Sequence, residues 1–168
     1  MPRPFRASTR SPAASPAPVF DHLLRLTDRR GTLAQARLAA PLPEHGYRAD
    51  DMARVLVVAT RDHGPDRAMN GLATTALRFL NDAQASTGAC RNHMDSAGRW
   101  VDEPTVGDAW GRCIWGLGTA AAHSNLAWTR HTAIAQFERA AQERSDQPRA
   151  MAFAALGAAE LLALDPAQ

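Results

Sequence analysis

Two adjacent carboxylates, Asp50 and Asp51, stand directly before the apolar run Val55 to Ala59, and Arg54 follows the first of them by one helical turn. Asp108 and Arg112 repeat the spacing before a second apolar stretch. A carboxylate at a helix start suits the positive end of the helix dipole and accepts backbone N–H bonds. That accounts for one aspartate. The other is explained by an i,i+4 partner such as Arg54, or by acid/base or hydroxyl-accepting chemistry at a cavity rim. Asp50, Asp51 and Asp108 are therefore the candidate catalytic residues. Trp110 and Trp115 flank Arg112. A flat indole face beside a carboxylate is the arrangement that holds a sugar ring, and core packing is the competing reading.

A second group of polar residues precedes Asp108. Arg91, Asn92, His93, Asp95, Arg99, Trp100, Asp102 and Glu103 crowd into a stretch with no clear period, 86–107. Loops of about twenty residues are usually functional or disordered. Cys90, Met94 and Trp100 favour an ordered loop folded over something, with Trp100 holding it down. Cys90 and His93 have the spacing of a metal pair, but no second pair follows, so no metal is expected. No nucleophile elbow of the GxSxG type occurs. Gly116 and Gly118 read as small residues for close helix packing, and no cofactor is implied.

The elements that position these residues are helical. A 45% hydrophobic and 21% charged composition is that of a globular domain, and the low aromatic and high alanine content favours packed helices over a β-sandwich. Helices are expected over 20–28, 50–63, 67–85, 108–122, 130–144 and 148–164, with a further helical piece over 32–40 and no strand. HGPD at 63–66 breaks the chain between two of them. The helices starting near 50, 108 and 148 are apolar nearly all round, whereas 67–85 and 130–144 have a charged outer face. Alternation of inner and outer helices is the mark of stacked αα-hairpins.

Residues 1–18 read as a disordered Pro/Ala/Ser-rich leader without a signal-peptide core, and 19–168 as one helical domain. All 19 basic residues are arginine, spread along the chain, which reads as codon bias and marks no nucleic-acid partner. No apolar run is long enough for a membrane helix. Two cysteines make no disulfide framework, so the expected location is cytoplasmic.

Five blocks in order resemble a bacterial family: FDHLLRLTD (20–28), HGYRADDMARVL (45–56), RNHMDSAGRWVDE (91–103), DAWGRCIWGLG (108–118) and QPRAMAFAALG (147–157). The family is the α/α-toroid region found fused to GT-B-type glycosyltransferases or standing alone, similar to (α/α)6-barrel carbohydrate-active proteins. The resemblance implies an all-α fold like the N-terminal half of such a toroid, with acids at its mouth. It implies a glycan or sugar-containing small molecule as ligand, for binding, glycosyl transfer or cleavage. The residues it marks are Tyr47, Asp50, Asp51, Arg54, Arg91, Asn92, Arg99, Trp100, Asp102, Glu103, Asp108, Arg112, Pro148 and Arg149. Trp100 or Trp110 would stack the sugar.

Four positions depart from the family pattern. Met52 stands for an Asn, Gly107 for a Glu, Ala36 for one His and Trp110 for another. These losses favour the alternatives, a non-catalytic interaction module or a degenerate fragment. A half-toroid leaves apolar faces open, so self-association, a partner chain or a truncated reading frame is also implied.

Overall fold

The computed structural model describes residues 18–61 and 66–164. The expected leader lies outside them but for Pro18, as does the break at 63–66 but for Asp66. In chain order the elements are α1 (Asp21–Arg25), β1 (Ala36–Arg37), β2 (Ala40–Pro41), β3 (Tyr47–Arg48), α2 (Ala49–Arg61), α3 (Arg67–Ala83), β4 (His93–Met94), α4 (Asp108–His123), α5 (Ala127–Ala140) and α6 (Pro148–Leu162). The protein is mainly helical, and its strands are two-residue pieces in two small antiparallel pairs, β1 with β2 and β3 with β4.

The helical piece expected over 32–40 is extended instead. Leu33 donates its N–H to Leu26 O at 2.8 Å, and Ala34 donates to Gly46 O at 2.9 Å. The β1–β2 hairpin then turns through Leu38, which has φ +55°. Pro41 and Pro43 push the residues before them toward extended backbone, and the segment's N–H groups find partners across the chain rather than along it.

Five longer helices form where the apolar spacing places them. Asp66 caps α3, its Oδ1 accepting the Ala68 N–H at 2.8 Å. Pro148 occupies the first turn of α6, where its missing N–H costs nothing. The core is built from α2, α3 and α4, with Met52, Leu56, Leu72, Leu77, Leu80, Ile114 and Leu117 buried. Each such side chain contributes about 2 kcal/mol by leaving water.

Close backbone approach sets the relation of α2, α4 and α6. A Cβ at Gly111 would meet Ala150 O at 2.3 Å, and one at Gly118 would meet Gly157 O at 2.2 Å. Both contacts advance in the same direction along the two helices, so α4 and α6 run parallel. A Cβ at Gly116 would meet Ala53 O of α2 at 2.9 Å, a less tight approach. The small residues of this stretch thus serve packing, as their spacing implies. α3 packs on α2, and α5 packs on α4. The expectation that α6 is buried on all sides does not hold: only Ala150 and Gly157 are buried along it, because one face alone meets α4.

Candidate functional site

The start of α2 is organised by the loop that precedes α4. Asp102 accepts the N–H groups of Asn92 (2.7 Å) and His93 (2.9 Å), which fixes the loop's backbone. Asn92 in turn accepts twice from α2, its backbone O from Ala49 N–H at 2.9 Å and its Oδ1 from Asp50 N–H at 3.1 Å. Asn92 is therefore the residue that caps α2. The capping role that the sequence offers Asp50 or Asp51 is taken by a residue distant in the chain.

Freed from capping, the aspartates face arginines. Arg112 Nη1 donates to Asp50 Oδ2 at 2.9 Å, and Arg112 Nη2 lies 3.0 Å from Asp108 Oδ2. Arg149 Nε donates to Asp108 Oδ1 at 2.6 Å. Arg54 pairs with Asp51 and lies 3.5 Å from Asp50 Oδ2. A row of alternating acid and arginine thus joins the starts of α2, α4 and α6. The two Asp–x–x–small–Arg segments occupy equivalent places in it. Their repeated spacing is the sequence signal for the row; Arg149 and the cap at Asn92 complete it.

Within the row Asp108 has both oxygens engaged, and Asp51 is held by Arg54. Asp50 Oδ1 and Arg112 Nε are buried and without a hydrogen-bond partner in the protein. One acceptor and one donor are therefore unsatisfied at the centre of the row, where each costs free energy. Beside them the Arg112 guanidinium lies 5.1 Å from the Phe153 ring centroid, and Phe153 stacks on Trp115 at 5.6 Å.

The other marked residues sit elsewhere. Trp110 is 1% exposed and donates its Nε1–H to Ala140 O at 3.3 Å, so it is core. Trp115 is only partly buried and keeps some surface to offer. Trp100 packs edge-on against Phe79 at 5.2 Å and holds the loop down. Arg99 is bound to Asp95, its Nε and backbone N–H each 2.9 Å from that carboxylate. Those bonds, the backbone one foremost, hold the Asp95 carboxyl below its ordinary range. Arg91 donates its backbone N–H to Ala83 O.

Tyr47 is buried and donates its hydroxyl to Asp28 Oδ2 at 2.6 Å. Burial by itself would raise Asp28. The Tyr47 hydroxyl and the N–H groups of Arg30 and Gly31 outweigh it, and the carboxyl sits below its usual range. Burial and the same carboxylate push the Tyr47 phenol up.

Cys90 and Cys113 are free and buried. The hydrogen bond that the Cys113 thiol donates to the neighbouring Cys90 sulfur, together with burial, pushes Cys113 well above the ordinary thiol value. It stays protonated and is no nucleophile at neutral pH. Among the described residues no cluster of three or more His, Cys, Asp and Glu could hold a metal ion, and no helix is long and apolar enough to cross a membrane.

Fold and site together define a mainly helical protein whose parallel helix starts are bridged by an acid–arginine row. No known family, curated protein or solved structure matches the chain.

Proposed function

We propose that the chain is a glycan-binding, carbohydrate-active helical protein, built as half of an α/α toroid from stacked hairpins. The parallel α2, α4 and α6 would be its inner helices, with α3 and α5 behind them. Its ligand site is the acid–arginine row at the inner-helix starts. The observation that carries this reading is the unsatisfied pair at the row's centre, Asp50 Oδ1 and Arg112 Nε. A ligand hydroxyl both donates and accepts, so on reaching the row it would satisfy such an acceptor or such a donor. Phe153 and Trp115 supply the adjoining apolar surface that a sugar ring stacks on. Asp50 joins α2 to α4 through Arg112 and keeps its Oδ1 without a partner, so Asp50 is the residue through which any glycosyl chemistry would run.

A second reading has its own support. Three acids and three arginines pair off within the row, and the far ends of the same helices are clasped as well. Glu160 of α6 binds Arg61 of α2 and, through Oε2, His123 Nε2 of α4 at 2.7 Å. Ion pairs at both ends would serve a purely structural module that holds three parallel helices in register.

A panel of glycans and nucleotide sugars, screened for binding and turnover with the parent and Asp50→Asn, separates the two. Binding by the parent that falls at least tenfold in Asp50→Asn, with far-UV circular dichroism unchanged, is the expected result. Absence of any glycan binding by the parent supports the structural module. Turnover undiminished in Asp50→Asn removes Asp50 from the chemistry.

A further inference from the structure

The row of parallel helices α2, α4 and α6 has two outer ends, an apolar one on α6 and a mixed one on α2. On α6 the side opposite Ala150 and Gly157 consists of Ala152, Ala155, Leu156, Ala159 and Leu162, all exposed. Leu156 is 51% and Leu162 65% exposed. The corresponding outer face of α3 carries Arg67, Arg78, Asn81 and Asp82, so an uncharged outer face is particular to α6. On α2 the side opposite Ala53 carries Asp51, Arg54, the buried Val55 and Val58, and of its apolar residues only Val58, 40% exposed, faces water. That side walls a groove of about 320 Å³ whose other side is formed by Leu23 and Leu33. Water-facing apolar stripes of this kind mark interaction surfaces.

We propose that two copies of this chain associate head to tail, α6 of each packing on the free side of α2 of the other. The inference rests on the half-ring reading of the architecture and not on the glycan. Three features select a second copy as the occupant. First, the α6 stripe is built of the small residues Ala152, Ala155 and Ala159, which admit a close neighbour as Gly111 and Gly118 already admit α6 against α4. Second, the charges at the two ends are complementary. With α6 and the second copy's α2 parallel, as the helices within one copy are, Arg149 and Asp146 of one chain meet Asp51 and Arg54 of the other. Arg149 is 71% exposed on its side chain and Arg54 48%, and each holds an acid of its own chain, Asp108 and Asp51, so the seam would share these pairs between copies. Third, a two-fold axis uses the same seam twice and leaves neither end open. Head-to-tail contacts that fail to close produce filaments instead. The closed pair carries six inner helices, three from each chain, and extends the acid–arginine row from one copy into the next.

Light scattering on the size-exclusion eluate of the whole chain tests this. The expected mass is twice 18.1 kDa. Leu156→Glu and Val58→Glu should each give the single-chain mass with unchanged helical circular dichroism, and Leu162→Glu repeats the α6 test at a more exposed position. Mixing Leu156→Glu with Val58→Glu should restore the two-chain species, since one of its two seams then has both native faces. A parent that stays at the single-chain mass up to tens of micromolar overturns the proposal. So does a dimer that survives Val58→Glu, which would pair α6 with α6, and so does an open series of larger species. None of these readings depends on ligand, so a failed glycan screen leaves the test intact.

Discussion

At the residue scale, single hydrogen bonds decide what the charged groups can do. Asn92 relieves both aspartates of capping α2, so Asn92→Ala should cost about 1 kcal/mol and lower Tm by about 3 °C in a chain of this size. The loss is measured by thermal unfolding, and glycan affinity, if present, should fall with it because Asp50 loses its anchor. Tyr47 and Asp28 form the second decisive pair. Asp28 is depressed in the folded protein, so its contribution is present above the ordinary carboxylate range and is lost as pH falls through its lowered folded value. Tyr47→Phe should therefore cost about 1 kcal/mol at neutral pH, discounted for the exposure of Asp28. The cost should shrink in acid. Urea unfolding of both proteins from neutral pH down to pH about 3 checks the sign; a penalty that grows in acid would contradict the assignment.

At the element scale the helices are held by what they lack. Gly118 brings the α4 backbone against Gly157 of α6, and a methyl there would sit 2.2 Å from a carbonyl oxygen. Alanine gains about 1 kcal/mol in helix propensity, but overpacking against backbone costs about 1–3 kcal/mol or more. Gly118→Ala should thus be destabilising. Gly71, on the exposed side of α3, has nothing within 4 Å of a built Cβ, so Gly71→Ala should stabilise by up to about 1 kcal/mol. Denaturant midpoints of the two variants moving in opposite directions would show that close approach, and not propensity, governs α4 and α6. Gly46 belongs to the same class of constraint. Its φ of +64° and the nearness of Met94 O, at 2.1 Å from a built Cβ, seat β3 against β4 and so bring the loop to the start of α2.

At the scale of the whole molecule the question is how a row of helices ends. The alternation of apolar and amphipathic helices is visible in the sequence, and it marks α2, α4 and α6 as a set. The set is clasped at both ends by ion pairs and spaced by glycines, while its outermost faces present Leu156, Leu162 and Val58 to water. The head-to-tail pairing argued above removes that exposure without any new element. If it holds, unfolding midpoints should rise with chain concentration, because dissociation is coupled to loss of the covered faces.

Periodicity and end signals were enough to place the five long helices, since apolar spacing and residues such as Asp66 and Pro148 act locally. The repeated Asp–x–x–small–Arg spacing likewise marked Asp50, Arg54, Asp108 and Arg112 as equivalent, because an i,i+4 pair is set within one helix turn. Only the tertiary structure decided the rest. Residues 32–40 became extended because their N–H groups bond to Leu26 and Gly46, partners the local pattern does not contain. Trp110 went to the core and Trp115 to the flank of Arg112, a difference of helix face that depends on which neighbours arrive. The capping of α2 by Asn92, the bridge from Arg112 to Asp50 and the open face of α6 all join segments far apart in the chain. Such contacts are set by how helices pack, so no run of consecutive residues could specify them.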